Sequence, residues 1–249
     1  MTYKYGNYYS FAQDILNGKN HVLIAGATGS GKSVLLNCLL WSAIGYSTPF
    51  ADNSGIQFIL LDPKKVELID YKSLPHTIAY ADDTQRMTQA LRLACDIIDR
   101  RYLEMQSQRI KTYQGSAIYI VIDELADLLL SENKSEITKM LQHIAQVGRA
   151  CKVLLLACTQ APNRHILRSE IVLNIGCRIA LRTNSNIESR QIIGCAGAEL
   201  LSIGHGIIQI GLDKWMQDIP FVPDTDIRKR IDDITQPQTQ AHAYLKRIK

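Results

Sequence analysis

Short apolar runs alternate along the chain with longer stretches of helical periodicity. The runs lie at 21–25 (HVLIA), 56–61 (IQFILL), 117–122 (AIYIVI), 152–157 (KVLLLA), 177–181 (CRIAL) and 206–210 (GIIQI). Each is too short for a core helix and almost unbroken in its apolar character. That pattern predicts strands buried on both faces, because a strand with one wet face would alternate. Helical spacing of apolar residues predicts helices at 32–45, 84–110, 135–149 and 187–201. Strands and helices in alternation predict an α/β fold, a mostly parallel sheet with helices against it. No internal repeat interrupts the order.

The connection between the first strand and the first helix carries the clearest chemistry. Residues Gly26, Ala27, Thr28, Gly29, Ser30, Gly31, Lys32 and Ser33 read G-x-x-x-x-G-K-S, directly after HVLIA and directly before SVLLNCLLWSA. The glycines let the backbone curl until its N–H groups point at phosphate oxygens, and the helix adds its positive end. Lys32 is then expected on the β- and γ-phosphates, and the Ser33 hydroxyl on Mg²⁺. ATP and Mg²⁺ are the expected ligands.

The third strand ends in two carboxylates, Asp123 and Glu124. Alone, a strand ending in two acids is weak evidence. Beside a phosphate loop it predicts a metal-orienting acid, Asp123, and a proton acceptor for an attacking water, Glu124. A general base for water favours hydrolysis over nucleotide binding alone.

Composition narrows the picture little. Among 249 residues, 46% are hydrophobic and 21% charged, and 28 basic against 24 acidic side chains leave a net charge of +4. That balance neither requires nor excludes nucleic acid, since basic residues can gather on one surface. The six cysteines, Cys38, Cys95, Cys151, Cys158, Cys177 and Cys195, form no CxxC pair and lie mostly in apolar runs. They read as free thiols in a reducing compartment. No apolar run approaches the ~20 residues of a membrane-spanning helix, so the chain is expected in the cytoplasm without inserting into a bilayer itself.

Four further segments resemble one family in order. Residues 61–76, LDPKKVELIDYKSLPH, resemble the DPK-x-x-EL-x-x-Y-x-x-x-PH stretch of FtsK/SpoIIIE proteins. VIDELADL at 121–128 resembles their acidic strand end. AQVGRA at 145–150 followed by ACTQ at 157–160 resembles their AQ-x-x-RA…ATQ. NIGCRIALRTNSNIESRQIIGCAGAELLSIGHG at 174–206 resembles the stretch that follows. The resemblance spans roughly 20–220 and implies a RecA-like P-loop NTPase acting as a motor on double-stranded DNA, assembled as a homo-oligomeric ring, a hexamer.

The resemblance also implies roles that spacing does not reveal. Arg149 matches the arginine lent to a neighbouring subunit's γ-phosphate; a helix-end arginine bound to carbonyls is the competing reading. Gln160 matches the γ-phosphate sensor, against a plain strand-end turn residue. Arg178 is either a nucleotide sensor or a structural partner. Arg164, Arg168 and Arg190, in loops at 161–168 and 183–190, match positions that touch DNA phosphates; solvated arginines are the alternative. Two positions depart from the pattern: Ala161 replaces an arginine and Asn186 a lysine, which argues for weaker or rearranged DNA contact. Lys64 and Lys65 either touch nucleic acid or, with Asp62 and Glu67, serve a structural or subunit contact, the favoured reading. The N-terminal aromatics Tyr3, Tyr5, Tyr8, Tyr9 and Phe11 either pack on the core or stack on adenine.

The expected organisation is an N-terminal extension at 1–20, the motor domain at 21–222, and a C-terminal helix and basic tail at 223–249, with a linker at 236–240. The chain reads as an excised motor domain or a compact motor of a mobile element. Two other functions compete: a protein-translocating ATPase of the type VII secretion kind, and a nucleotide-gated assembly factor that moves nothing.

Overall fold

The computed structural model describes residues 8–17, 19–46, 55–160, 162 and 169–235. In chain order the elements are α1 (Tyr8–Ile15), β1 (Val22–Ala25), α2 (Lys32–Tyr46), β2 (Ile56–Leu61), β3 (Thr77–Ala81), α3 (Thr84–Gln108), β4 (Ala117–Ile122), α4 (Leu125–Leu129), α5 (Lys134–Val147), β5 (Val153–Thr159), α6 (Ser169–Val172), β6 (Cys177–Ala180), α7 (Asn186–Ile193), β7 (His205–Ile210), β8 (Asp213–Asp218) and α8 (Asp224–Thr235). The sheet runs β3-β2-β4-β5-β1-β6-β7-β8. The strands from β3 to β6 pair in parallel, whereas β7 and β8 join antiparallel.

Strand pleating divides the core into two layers. Leu23, Ile59, Ile118, Ile120 and Leu155 face one side, where α3, α4 and α5 cover them. Val22, Ile24, Phe58, Tyr119 and Leu156 face the other, beneath α1, α2 and α8. Each such side chain, fully removed from water, contributes roughly 1.5–3 kcal/mol before entropy is counted. The continuous apolar runs of β4 and β5 are therefore buried along their whole length.

The strands the sequence pattern missed sit at the edges, and it also missed the short helices α1, α4 and α6. β3 and β8 end the sheet: β3 (TIAYA) is a short run that stays mostly half-buried, and β8 (DKWMQD) is largely polar, so neither shows a long buried apolar stretch. The helix expected at 187–201 stops at Ile193 because Gly194, at φ +73°, caps it in the left-handed region that glycine adopts readily. α3 begins on Asp83, whose side chain accepts from the Arg86 amide.

α1 and α8, at the two ends of the described chain, pack into the α2 layer. Phe11, Ile15, Ile227 and Ile231 are buried there. The Arg230 guanidinium lies 3.5 Å over the Trp41 ring and donates to the Trp41 carbonyl. Phe11 thus takes the core-packing alternative; Tyr3 and Tyr5 and the 236–240 linker lie outside the described residues.

The strand order places the phosphate loop. β1 sits between β5 and β6, and the chain leaves it toward β2 on one side and returns to β6 on the other. A crevice opens at the carboxyl ends of parallel strands where such a reversal occurs. Among the described residues, no helix is long and apolar enough to cross a membrane.

Candidate nucleotide site

The loop between β1 and α2 closes under backbone constraint. Gly29 and Gly31 adopt φ of +72° and +97°, which a side chain would strain. Gly26 is needed for a different reason: a Cβ there would come within 2.9 Å of the Leu181 Cβ. The loop is tied to its neighbours by the Gly26 amide donating to the Thr159 carbonyl and the Ala27 amide to the Arg182 carbonyl. Lys32 folds back over this loop and its Nζ donates to the carbonyls of Gly26 and Ala27, 2.9 Å each. Burial lowers its pKa, against the charge of Glu124, which raises it.

Register brings the acids to the same edge. Leu61 pairs with Ile122 and Ile122 with Ala157. Asp62, Asp123 and the end of β5 therefore line up beside the phosphate loop. Asp123 is buried, and burial pushes its carboxyl up to about 6, with the Glu67 carboxylate adding to the effect and Lys64 opposing it. Glu124 is 1% exposed. Its carboxylate accepts from the Ala126 amide at 3.1 Å, capping α4, and from the Gln160 amide at 3.2 Å. Gln160 also meets the loop directly: Thr28 Oγ1 donates to Gln160 Oε1 at 2.8 Å.

A cavity of about 390 Å³ is lined by Thr28, Lys32, Ser33, Asp123, Glu124 and Gln160, with other loop residues and two that the sequence reading left elsewhere, Lys64 and Glu67. The sequence carried no direct signal for these two. DPK follows β2 as DE follows β4, but only the pairing of β2 with β4 makes the two strand ends neighbours. The donor set fits a Mg²⁺–nucleotide: curled N–H groups, an ammonium, a hydroxyl and one or two carboxylates suit a cation that takes few protein ligands beside phosphate oxygens.

Other expected residues lie apart. Arg149 is at the opposite edge of the sheet, just before β5, where its Nε donates to the Lys19 carbonyl. The seven residues of β5 separate it from Gln160, about 20 Å at strand rise. His21, fully buried beside it, accepts the Leu155 amide on Nδ1; burial lowers its pKa to about 4, and the Arg149 charge adds to this. Arg178 donates to the Val172 carbonyl at 2.9 Å, a structural contact, and burial lowers its pKa. Arg190 is exposed on α7, which follows the carboxyl end of β6 and so starts on the phosphate-loop edge. Arg164 and Arg168, with Ala161, lie outside the described residues.

Residues 5–120 match the FtsK/SpoIIIE family. The chain is 37% identical over 201 residues to the DNA translocase SftA of Bacillus subtilis (strain 168), and 31% identical over 250 to the DNA translocase SpoIIIE of the same strain. The chain belongs to the FtsK/SpoIIIE family. These alignments cover 75% and 90% of the chain but only 20% of SftA and 31% of SpoIIIE. The family's fold agrees with solved structures. The pCW3 conjugation coupling protein TcpA, solved with ATPγS, matches at a TM-score of 0.74 and 22% identity, covering 87% of this chain and 65% of TcpA. The cytoplasmic domain of the type VII secretion ATPase EccC of Thermomonospora curvata matches at 0.71 and 23%, covering 87% of this chain and 28% of EccC. At such identities the likeness concerns the fold: a mostly parallel α/β sheet of the P-loop ATPase kind.

Proposed function

We propose that this chain is an ATP-hydrolysing motor domain that moves double-stranded DNA, working as one subunit of a homo-oligomeric ring, a hexamer. The observation that carries the reading is the division of labour across the sheet. Phosphate loop, acidic pair and Gln160 line one cavity at one edge, while Arg149 projects from the other. An arginine about 20 Å from its own cavity cannot serve it, but it can serve a neighbour stacked head to tail. Hydrolysis then depends on subunit contact. The relatives named as DNA translocases favour DNA as cargo.

In this reading Lys32 leaves the Gly26 and Ala27 carbonyls for the β- and γ-phosphates. Ser33 and Asp123 would hold Mg²⁺, which would supply charge neutralisation for the phosphates. Glu124 must first exchange its bonds to the Ala126 and Gln160 amides for a bond to water. Water oxygen then attacks the γ-phosphorus, its proton passes to Glu124, and the bond to the bridging oxygen breaks with its electron pair going to ADP. Gln160 orients the water, and Arg149 of the next subunit stabilises the transferred charge. Arg190, with Arg164 and Arg168, is proposed to hold DNA phosphates without reading bases. Residues 21–222 form the motor proper, with 1–20 and 223–249 as flanking pieces, of which α1 and α8 are packed into the motor's own core.

The test is the steady-state ATPase rate with and without linear duplex DNA, beside Arg149→Ala. Strong stimulation that the variant loses, and that mixing with Lys32→Ala subunits partly restores, is the expected result. The mixture places an intact Arg149 beside an intact pocket. Turnover indifferent to duplex at concentrations that assemble would overturn DNA as cargo and leave protein translocation or nucleotide-gated assembly.

A further inference from the structure

We propose that Lys64 is a second phosphate-binding cation of this site, meeting the γ-phosphate from the side opposite the phosphate loop; this rests on the nucleotide reading above. The cavity crosses the sheet in the order β1, β5, β4, β2. The phosphate loop follows β1, Gln160 follows β5, Asp123 and Glu124 follow β4, and Lys64 follows β2. At a strand spacing of about 4.8 Å, the β2 end lies roughly 14 Å from the β1 end. A triphosphate held at its β-phosphate by the loop and pointed at the acidic pair directs its γ-phosphate toward Lys64.

The turn that carries Lys64 is fixed far more firmly than a surface connection requires. Asp62 is 0% exposed, and its carboxylate accepts from the amides of Val66 and Leu68 and from the Tyr80 hydroxyl. The Lys65 amide donates to the Asp62 carbonyl, and Lys65 itself stands at φ +59°, a left-handed conformation uncommon for a side chain of this kind. Strain of that sort persists where surrounding contacts impose it, and often at ligand sites.

The two lysines of the turn then differ. Lys65 approaches Asp82 at 3.9 Å, outside the cavity. Lys64 lines the cavity and makes no hydrogen bond or ion pair with the described residues. Charge argues the same way. The cavity lining holds three carboxylates, Glu67, Asp123 and Glu124, and two ammonium groups, Lys32 and Lys64. Lys32 belongs to the loop, so Lys64 is the cation left for the far end of a multiply charged ligand.

The experiment is calorimetric titration of the full chain with ATPγS and with ADP, both with Mg²⁺, for the parent, Lys64→Ala, Lys64→Arg and Lys65→Ala. One lost charge-assisted contact predicts about 10-fold or greater weakening of ATPγS by Lys64→Ala and less than about twofold for ADP. Lys64→Arg should recover part of the ATPγS loss, and Lys65→Ala should behave as the parent. Equal losses for both nucleotides, or none, would overturn the proposal. So would a loss confined to duplex DNA binding with the nucleotide preference intact. If instead the parent binds neither nucleotide, or Lys32→Ala binds ATPγS as tightly as the parent, it is the nucleotide site itself that fails.

Discussion

Thr28 and Gln160 stand 132 positions apart in the chain, yet Thr28 Oγ1 donates to Gln160 Oε1 at 2.8 Å. The amide of the same Gln160 donates to the Glu124 carboxylate. One residue thereby links the phosphate loop to the acid read as the proton acceptor. A nucleotide entering the loop is expected to compete for Thr28 and, through Gln160, to alter how Glu124 is held.

Thr28→Val should expose that link. The variant keeps the side-chain shape and removes the donor, and a neutral hydrogen bond is worth about 0.5–1.5 kcal/mol net. We expect the hydrolysis rate constant to change by roughly 2–10-fold while ADP affinity, measured by calorimetry, moves less. An unchanged rate constant would mean the contact has no part in turnover.

Asp123 should give the free protein a distinctive pH response. Its carboxyl is raised from 3.8 to about 6 in the folded chain, so between those values the folded state binds more protons than the unfolded one. Its contribution to stability is therefore full below pH 3.8 and is lost as pH rises through about 6. Asp123→Asn should melt higher than the parent at pH 7.5, and the gap should close toward pH 4. His21 acts with the opposite sign: its pKa falls from 6.5 to about 4, so its contribution is present above 6.5 and lost as pH falls through 4. Only the difference between parent and Asp123→Asn melting temperatures isolates the aspartate.

Asp62 is predicted to be structural first. Asp62→Ala leaves the amides of Val66 and Leu68 without their carboxylate. We expect a loss of about 1–3 kcal/mol in urea denaturation, together with weaker discrimination of ATPγS from ADP if the turn loses its shape. A variant as stable as the parent would show that the turn holds itself.

The C-terminal helix should behave as part of the core. Ile231 of α8 is 6% exposed against the α2 layer. Ile231→Ala is expected to cost roughly 2–5 kcal/mol, read from the same denaturation curves. A cost near zero would mean α8 is docked loosely and belongs to a separate unit.

The phosphate loop, the acidic strand end and the central strands were legible from the sequence because each is local. A glycine pattern, a lysine and a serine within eight residues determine one curled turn. An unbroken apolar run determines a strand covered on both sides. The order of such runs determines an α/β sheet, and the resemblance carried by residues 61–76 and 145–206 supplied the family.

What the tertiary structure decided was which strand ends become neighbours. β2 lies beside β4 only through a crossover, so nothing within DPKKVEL announces that Lys64 and Glu67 share a cavity with Asp123. The distance from Arg149 to that cavity likewise follows from the direction in which β5 crosses the sheet, not from the ten residues between Arg149 and Gln160. The edge strands β3 and β8 form because a partner offers its hydrogen-bonding edge, an opportunity that the short TIAYA and the polar DKWMQD do not themselves encode. Local physics wrote the parts into the sequence; long-range pairing set the distances between them, and those distances determine which residues can act together.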